Sequence, residues 1–171
     1  MKPLLTLALT LAALPVMAAS AWAAEEVLLT YRGFGRTVPI SELETLAETG
    51  EAPGTLGGLL RQVGQNPQEL QQVITRPIAV DGLTLDRVLN SFVGEWMLDQ
   101  VGVAIRPPAG DAGRQALRSA LVLSALDDNE ITLLEVLQNY PTQTVVVDGV
   151  QIQAAYNRLA TFLRPLSRIL R

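Results

Sequence analysis

The chain has 171 residues, thirteen basic against seventeen acidic side chains, no histidine and no cysteine. Its one lysine is Lys2, so from residue 24 onward twelve arginines face seventeen acids, a net charge of −5, and the basic face that neutralises nucleic-acid phosphates is missing. With no imidazole, no thiol and no lysine beyond Lys2, the usual general base, thiol nucleophile, Schiff-base amine, His/Cys zinc set and disulfides are all excluded.

Lys2, the apolar run from Leu4 to Val16 and the small-residue site Ala21-Trp22-Ala23 form the three-part pattern of a secretory signal peptide. Residues 1–23 are therefore expected to be removed on export, leaving one domain over 24–171 in the periplasm or outside the cell. Pro3 to Ala24 is uncharged and close to spanning length, so a retained membrane anchor is the rival reading. Val27 to Arg32 and Arg36 to Ile40 follow as extended segments, joined through Gly33-Phe34-Gly35 into a hairpin. Ser41-Glu42-Leu43-Glu44 has capping-box spacing and opens a helix that Gly50 stops.

Leu56 to Val63 predicts a short apolar helix, and Asn66-Pro67-Gln68-Glu69 starts another with a capping side chain and proline at its first position. Pro77 limits it. Ile78 to Val80 is too short to classify. Thr84 caps a helix through Leu89, and Phe92 to Ile105 continues at helical spacing. Arg106-Pro107-Pro108-Ala109-Gly110 is a loop. Ala112 to Leu126, apolar on more than one face, is the expected central helix. Thr132-Leu133-Leu134-Glu135 repeats the capping-box spacing and opens a helix closed by Pro141. Thr142 to Val147, with three consecutive valines, is a strand, and Asp148 with Gln151 caps the last helix.

The pattern gives a mainly α (α+β) fold, a compact multi-helix domain. Its small antiparallel sheet consists of the N-terminal hairpin plus the late strand at 142–147. A strand cannot satisfy its own backbone groups, so the late strand either joins the hairpin or offers an open edge to a partner protein.

Charge is unevenly spread: Gly149 to Arg171 holds Arg158, Arg164, Arg168 and Arg171 and no acid. Ile152, Tyr156, Leu159, Leu163, Leu166 and Ile169 fall near one face of this helix and the four arginines mostly on the other. They are either the solvated side of a packed helix or a docking element for an anionic membrane surface or a partner protein. Asp127-Asp128-Asn129-Glu130 is the densest acidic cluster, but Ile131 and Thr132 occupy the fifth and sixth positions of a calcium loop, where an oxygen ligand and a glycine belong. It reads as a polar connector. Gly54-Thr55-Leu56-Gly57-Gly58 lacks the lysine of a phosphate loop and reads as close packing or a turn. Phe92, Trp96 and Met97 at helical spacing read as core, with a ligand pocket as the alternative. No cofactor, metal or catalytic residue is expected.

Two segments carry a resemblance: Thr37 to Gly50, with its Pro39-Ile40-Ser41-Glu42-Leu43-Glu44 start and Thr49-Gly50 close, and Arg114 to Asp148, with the run from Leu133 to Thr144. They resemble the helical N-terminal domain found ahead of predicted secreted alpha/beta hydrolases, chiefly cyanobacterial. The resemblance implies an exported accessory domain, here standing without the hydrolase that follows it in relatives, and a partner that is a separate alpha/beta hydrolase or another envelope protein. The Gly-x-Ser-x-Gly elbow of that fold is absent, as is every histidine. Two other readings stay open: a peripheral membrane or lipid-binding module using the basic C-terminal helix, and a cryptic hydrolase working with carboxylates or hydroxyls.

Overall fold

The structure, a computed structural model, describes residues 23–155, 157, 158, 160 and 161. Residues 1–22, nearly all of the expected signal peptide, lie outside the described residues. In chain order the elements are strand β1 (Glu26–Tyr31), strand β2 (Phe34–Pro39), helices α1 (Ile40–Thr49), α2 (Gly54–Val63) and α3 (Pro67–Thr75), and strand β3 (Ile78–Ala79). Then come α4 (Gly82–Leu89), α5 (Phe92–Gly102), β4 (Ile105–Arg106), α6 (Gly113–Leu126), β5 (Glu130–Ile131), α7 (Leu133–Gln138) and β6 (Thr144–Asp148). A final helical stretch starts at 152 and is described as far as 161. The mainly α, α+β class is observed.

The late strand does join the hairpin. The sheet order is β2-β1-β6-β4, with β6 parallel to β1 in the register Val27↔Val145 and antiparallel to β4 in the register Ile105↔Val147. The sheet is thus mostly antiparallel with one parallel pair. Because both sides of β6 are hydrogen-bonded, the open-edge reading falls. Val145, Val146 and Val147 are all buried, so both faces of the strand are covered, which is why three β-branched residues run here without polar alternation. The parallel direction arises because the chain re-enters the sheet at the end where β1 begins: the amides of Glu25 and Glu26 donate to the Gln143 carbonyl at 2.9 and 3.1 Å.

Local differences from the sequence reading have physical causes. The hairpin turn is Arg32-Gly33, both at positive φ (48° and 85°), as a two-residue turn between right-twisted strands requires. Gly35 stays in the ladder opposite Thr30. The capping box at Ser41 is not made. α1 issues directly from β2 with Pro39 before it and no side-chain cap, and the Ile40 amide is already taken by the Glu25 carbonyl at 2.9 Å. Glu42 serves another helix: its carboxylate accepts from the Thr55 and Leu56 amides at 3.2 and 2.7 Å, capping α2. Glu44 instead accepts from Gln138 Nε2 at 2.8 Å, tying α1 to α7. Asp81, not Thr84, caps α4, accepting from the Thr84 amide at 2.8 Å. The segment from Phe92 breaks at Gly102, and Ile105 enters the sheet.

Elsewhere sequence and structure agree. Asn66 accepts from the Gln68 amide at 2.9 Å with Pro67 at the first helical position. Thr132 and Glu135 form the full capping box of α7. Asp148 accepts from the Val150 and Gln151 amides at 2.9 and 3.3 Å. Ile78, in a segment too short to classify from the sequence, pairs with Ile131 in a two-strand ladder that the sequence reading did not contain. One continuous hydrophobic cluster extends from Ala24 to Ala160, with Leu117, Ala120, Leu121 and Ala125 of α6 at its centre. Leu123 and Leu126 of the same helix are exposed, so α6 is central on one side only.

Candidate functional site

α5 is apolar on two opposite sides. Gly94, Met97, Leu98 and Val101 are buried, and at 3.6 residues per turn Phe92, Trp96 and Val103 point the other way. Phe92 is 86% exposed and Trp96 56%. The expectation that Phe92 and Trp96 belong to the core is therefore corrected, while Met97, at 6%, does belong to it. The helix is apolar on both sides, and only one of them is covered. The signal that separates the two sides lies in the spacing: Gly94, Leu98 and Val101 already complete an inward stripe without help from either aromatic ring.

Across from Trp96 stands the final helical stretch. Trp96, Met97 and Gln100 share an open groove of about 440 Å³ with Asn157, Arg158 and Thr161. Further back, Ile152 and Ala155 sit with Val101 and Ile105 around a small apolar void, so this stretch runs antiparallel to α5. Of the four arginines singled out in the sequence, Arg158 is exposed at this groove, and Arg164, Arg168 and Arg171 lie outside the described residues.

The acids on α5 are engaged on its α6 side. Arg114 grips Asp99 with two bonds, Nε to Oδ1 at 2.9 Å and a terminal nitrogen to Oδ2 at 2.8 Å, and this pairing holds the guanidinium further above its ordinary value. Glu95 lies 3.4 Å from Arg114 and 3.9 Å from Arg118. These pairs are exposed and add little stability, yet they leave the outward side of α5 without a free carboxylate of its own.

The loop Pro107-Pro108-Ala109-Gly110 overhangs an open hollow of about 590 Å³ containing Asp99, Arg106, Asp111 and Arg114, whose Asp99 and Arg114 are spent on each other. The void beneath the final helical stretch measures about 20 Å³, room for about one water. The acidic connector closes on itself. Asp128 Oδ1 accepts from the Glu130 amide at 2.9 Å, and Asn129 takes the left-handed conformation at φ 61°. Among the described residues no group of three or more His, Cys, Asp or Glu side chains converges as metal ligands would. In the glycine-rich stretch Gly54 and Gly57 are closely packed and Gly58 is not: a Cβ would collide with the Glu42 carboxylate at Gly54 and with the Ala52 carbonyl at Gly57. Among the described residues the buried hydroxyl with a strongly displaced acidity is that of Tyr140, pushed up to about 12 by burial and lacking a hydrogen-bond partner.

Comparison with protein families places residues 23–148 within a family described as "Alpha/beta hydrolase of unknown function (DUF1400)". The chain belongs to that family. The match to DUF1400 takes in every element from β1 to β6 and ends at Asp148, so the final helical stretch and its arginine lie beyond it. No curated protein and no solved structure matches the chain. Within the DUF1400 stretch no described helix is long and apolar enough to cross a membrane.

Proposed function

We propose that this chain is an exported, non-catalytic accessory domain that acts with a separate alpha/beta hydrolase or another envelope protein. The observation that carries this reading is a mismatch inside the family stretch. Residues 23–148 belong to a family named for the alpha/beta hydrolase, yet they fold around a four-stranded, mostly antiparallel sheet. The hydrolase chemistry instead uses a serine on a strand-to-helix elbow and a histidine base. This sequence has neither the Gly-x-Ser-x-Gly elbow nor any histidine. What remains is a helical body and a sheet that ties its two ends together, suited to holding a shape against a neighbour.

The test is ester turnover by the purified chain at high concentration with p-nitrophenyl butyrate, which demands little of an esterase pocket. The expected rate equals that of buffer. Saturable turnover that is abolished by a serine-reactive phosphonate sinks the non-catalytic reading. Export is part of the proposal, and the mass of the chain recovered from outside the cytoplasm tests it: a first residue at Ala24 supports removal of residues 1–23, and an intact Met1 supports a retained anchor.

A further inference from the structure

We propose that the outward side of α5, formed by Phe92, Val93 and Trp96 with Arg158 beside it, is a docking surface for an anionic membrane. Three features favour a lipid surface as the occupant. The first is the kind of exposed residue: Phe92 and Trp96 stand one turn apart on one helix side, 86% and 56% exposed, and aromatic rings of this sort are those that settle at a bilayer's headgroup level. The second is charge. Arg158, exposed, shares the Trp96 groove, and the described residues between 149 and 161 include no acid, which suits phosphate headgroups. The third is the fate of the nearby acids. Glu95 and Asp99, about half exposed, are each paired with an arginine of α6, Arg114 or Arg118, so their charge is offset where an anionic surface would approach.

The arrangement is a shallow interfacial contact: rings enter the headgroup layer while the arginine meets phosphate above it. It stands apart from the accessory reading, since α5 can meet lipid whether or not a hydrolase binds elsewhere.

The chain has two tryptophans, Trp22 and Trp96, so the full chain carrying Trp22→Phe reports on Trp96 alone. Its emission is followed with vesicles of phosphatidylglycerol and phosphatidylcholine in equal parts, and with phosphatidylcholine alone, each also prepared with acyl-brominated lipid. The proposal expects a blue shift and bromine quenching with the anionic vesicles, weakened about tenfold or more by high salt. Arg158→Gln should weaken the partitioning about fivefold, as should Phe92→Ser, a change at an exposed position that leaves the circular dichroism unchanged. Trp96 emission that does not respond to anionic vesicles overturns the proposal, even if the chain pellets with them through residues 1–22. So does an equal response to neutral vesicles, or a Trp96 already shielded from iodide without lipid, which would mean that protein covers this side.

Discussion

Glu42 shows how one side chain can be misplaced by spacing alone. Ser41 and Glu44 stand at the right separation for a capping box, but the strand β2 leads straight into α1 and the Ile40 amide is already committed to Glu25. The carboxylate next door instead caps α2 across a loop. Glu42→Ala should therefore cost about 1 kcal/mol while Ser41→Ala costs almost nothing, a contrast readable in urea denaturation midpoints. Tyr140 sets up the opposite expectation. Its ring is fully buried and its hydroxyl has no partner, so Tyr140→Phe removes a desolvated donor and should leave the protein as stable or more stable. The sign of its pH dependence follows from the raised acidity constant. In the unfolded chain the phenol ionises near its ordinary value of 10.0, and in the fold it keeps its proton to about 12. Stability linked to this group is whole below the lower value and falls as pH rises toward the upper one. The alkaline loss should be smaller in Tyr140→Phe than in the parent protein; equal losses would place the cause elsewhere.

At the scale of elements, most boundaries were legible because their stop and start signals are local. Gly50 ends α1 in the left-handed conformation at φ 77°, Asn66-Pro67 begins α3, and Thr132 with Glu135 boxes α7. Less legible were features fixed by distant partners. Ile105 and Arg106 are a strand only because β6 lies beside them, and Ile78 is one only because Ile131 does. No local pattern announces either. The exposed side of α5 was missed because an apolar helix within a domain looks like core until its neighbours are known. Those neighbours also explain Gly94. A Cβ there would run into the Val88 carbonyl and the Leu89 Cα, backbone that cannot step aside. Gly94→Ala should destabilise by about 2 kcal/mol or more, seen as a lowered melting temperature, whereas Gly102→Ala, where a Cβ meets nothing within 4 Å, should not.

For the whole molecule, the three valines near the end explain how the two termini of the family stretch are joined. β6 sits between β1 and β4, so the hairpin at residue 26 and the strand at residue 144 close the domain around the helices. That the late strand meets the hairpin followed from the sequence, since buried backbone must be paired; that it does so in parallel depended on where the intervening chain returns. Substituting Val146→Pro removes an amide from the middle of this sheet and should abolish cooperative unfolding, followed by circular dichroism on heating. The candidate site was only half legible. The basic character of the last segment is written in its composition, but its meeting with Trp96 depends on packing.

Calorimetric titration of the chain into an alpha/beta hydrolase purified from the exported proteins of the same cells tests the central claim most directly. The accessory account predicts saturable, stoichiometric heat and a hydrolase whose melting temperature rises in the presence of the chain. Heat no different from dilution, together with an unchanged melting temperature, would contradict it.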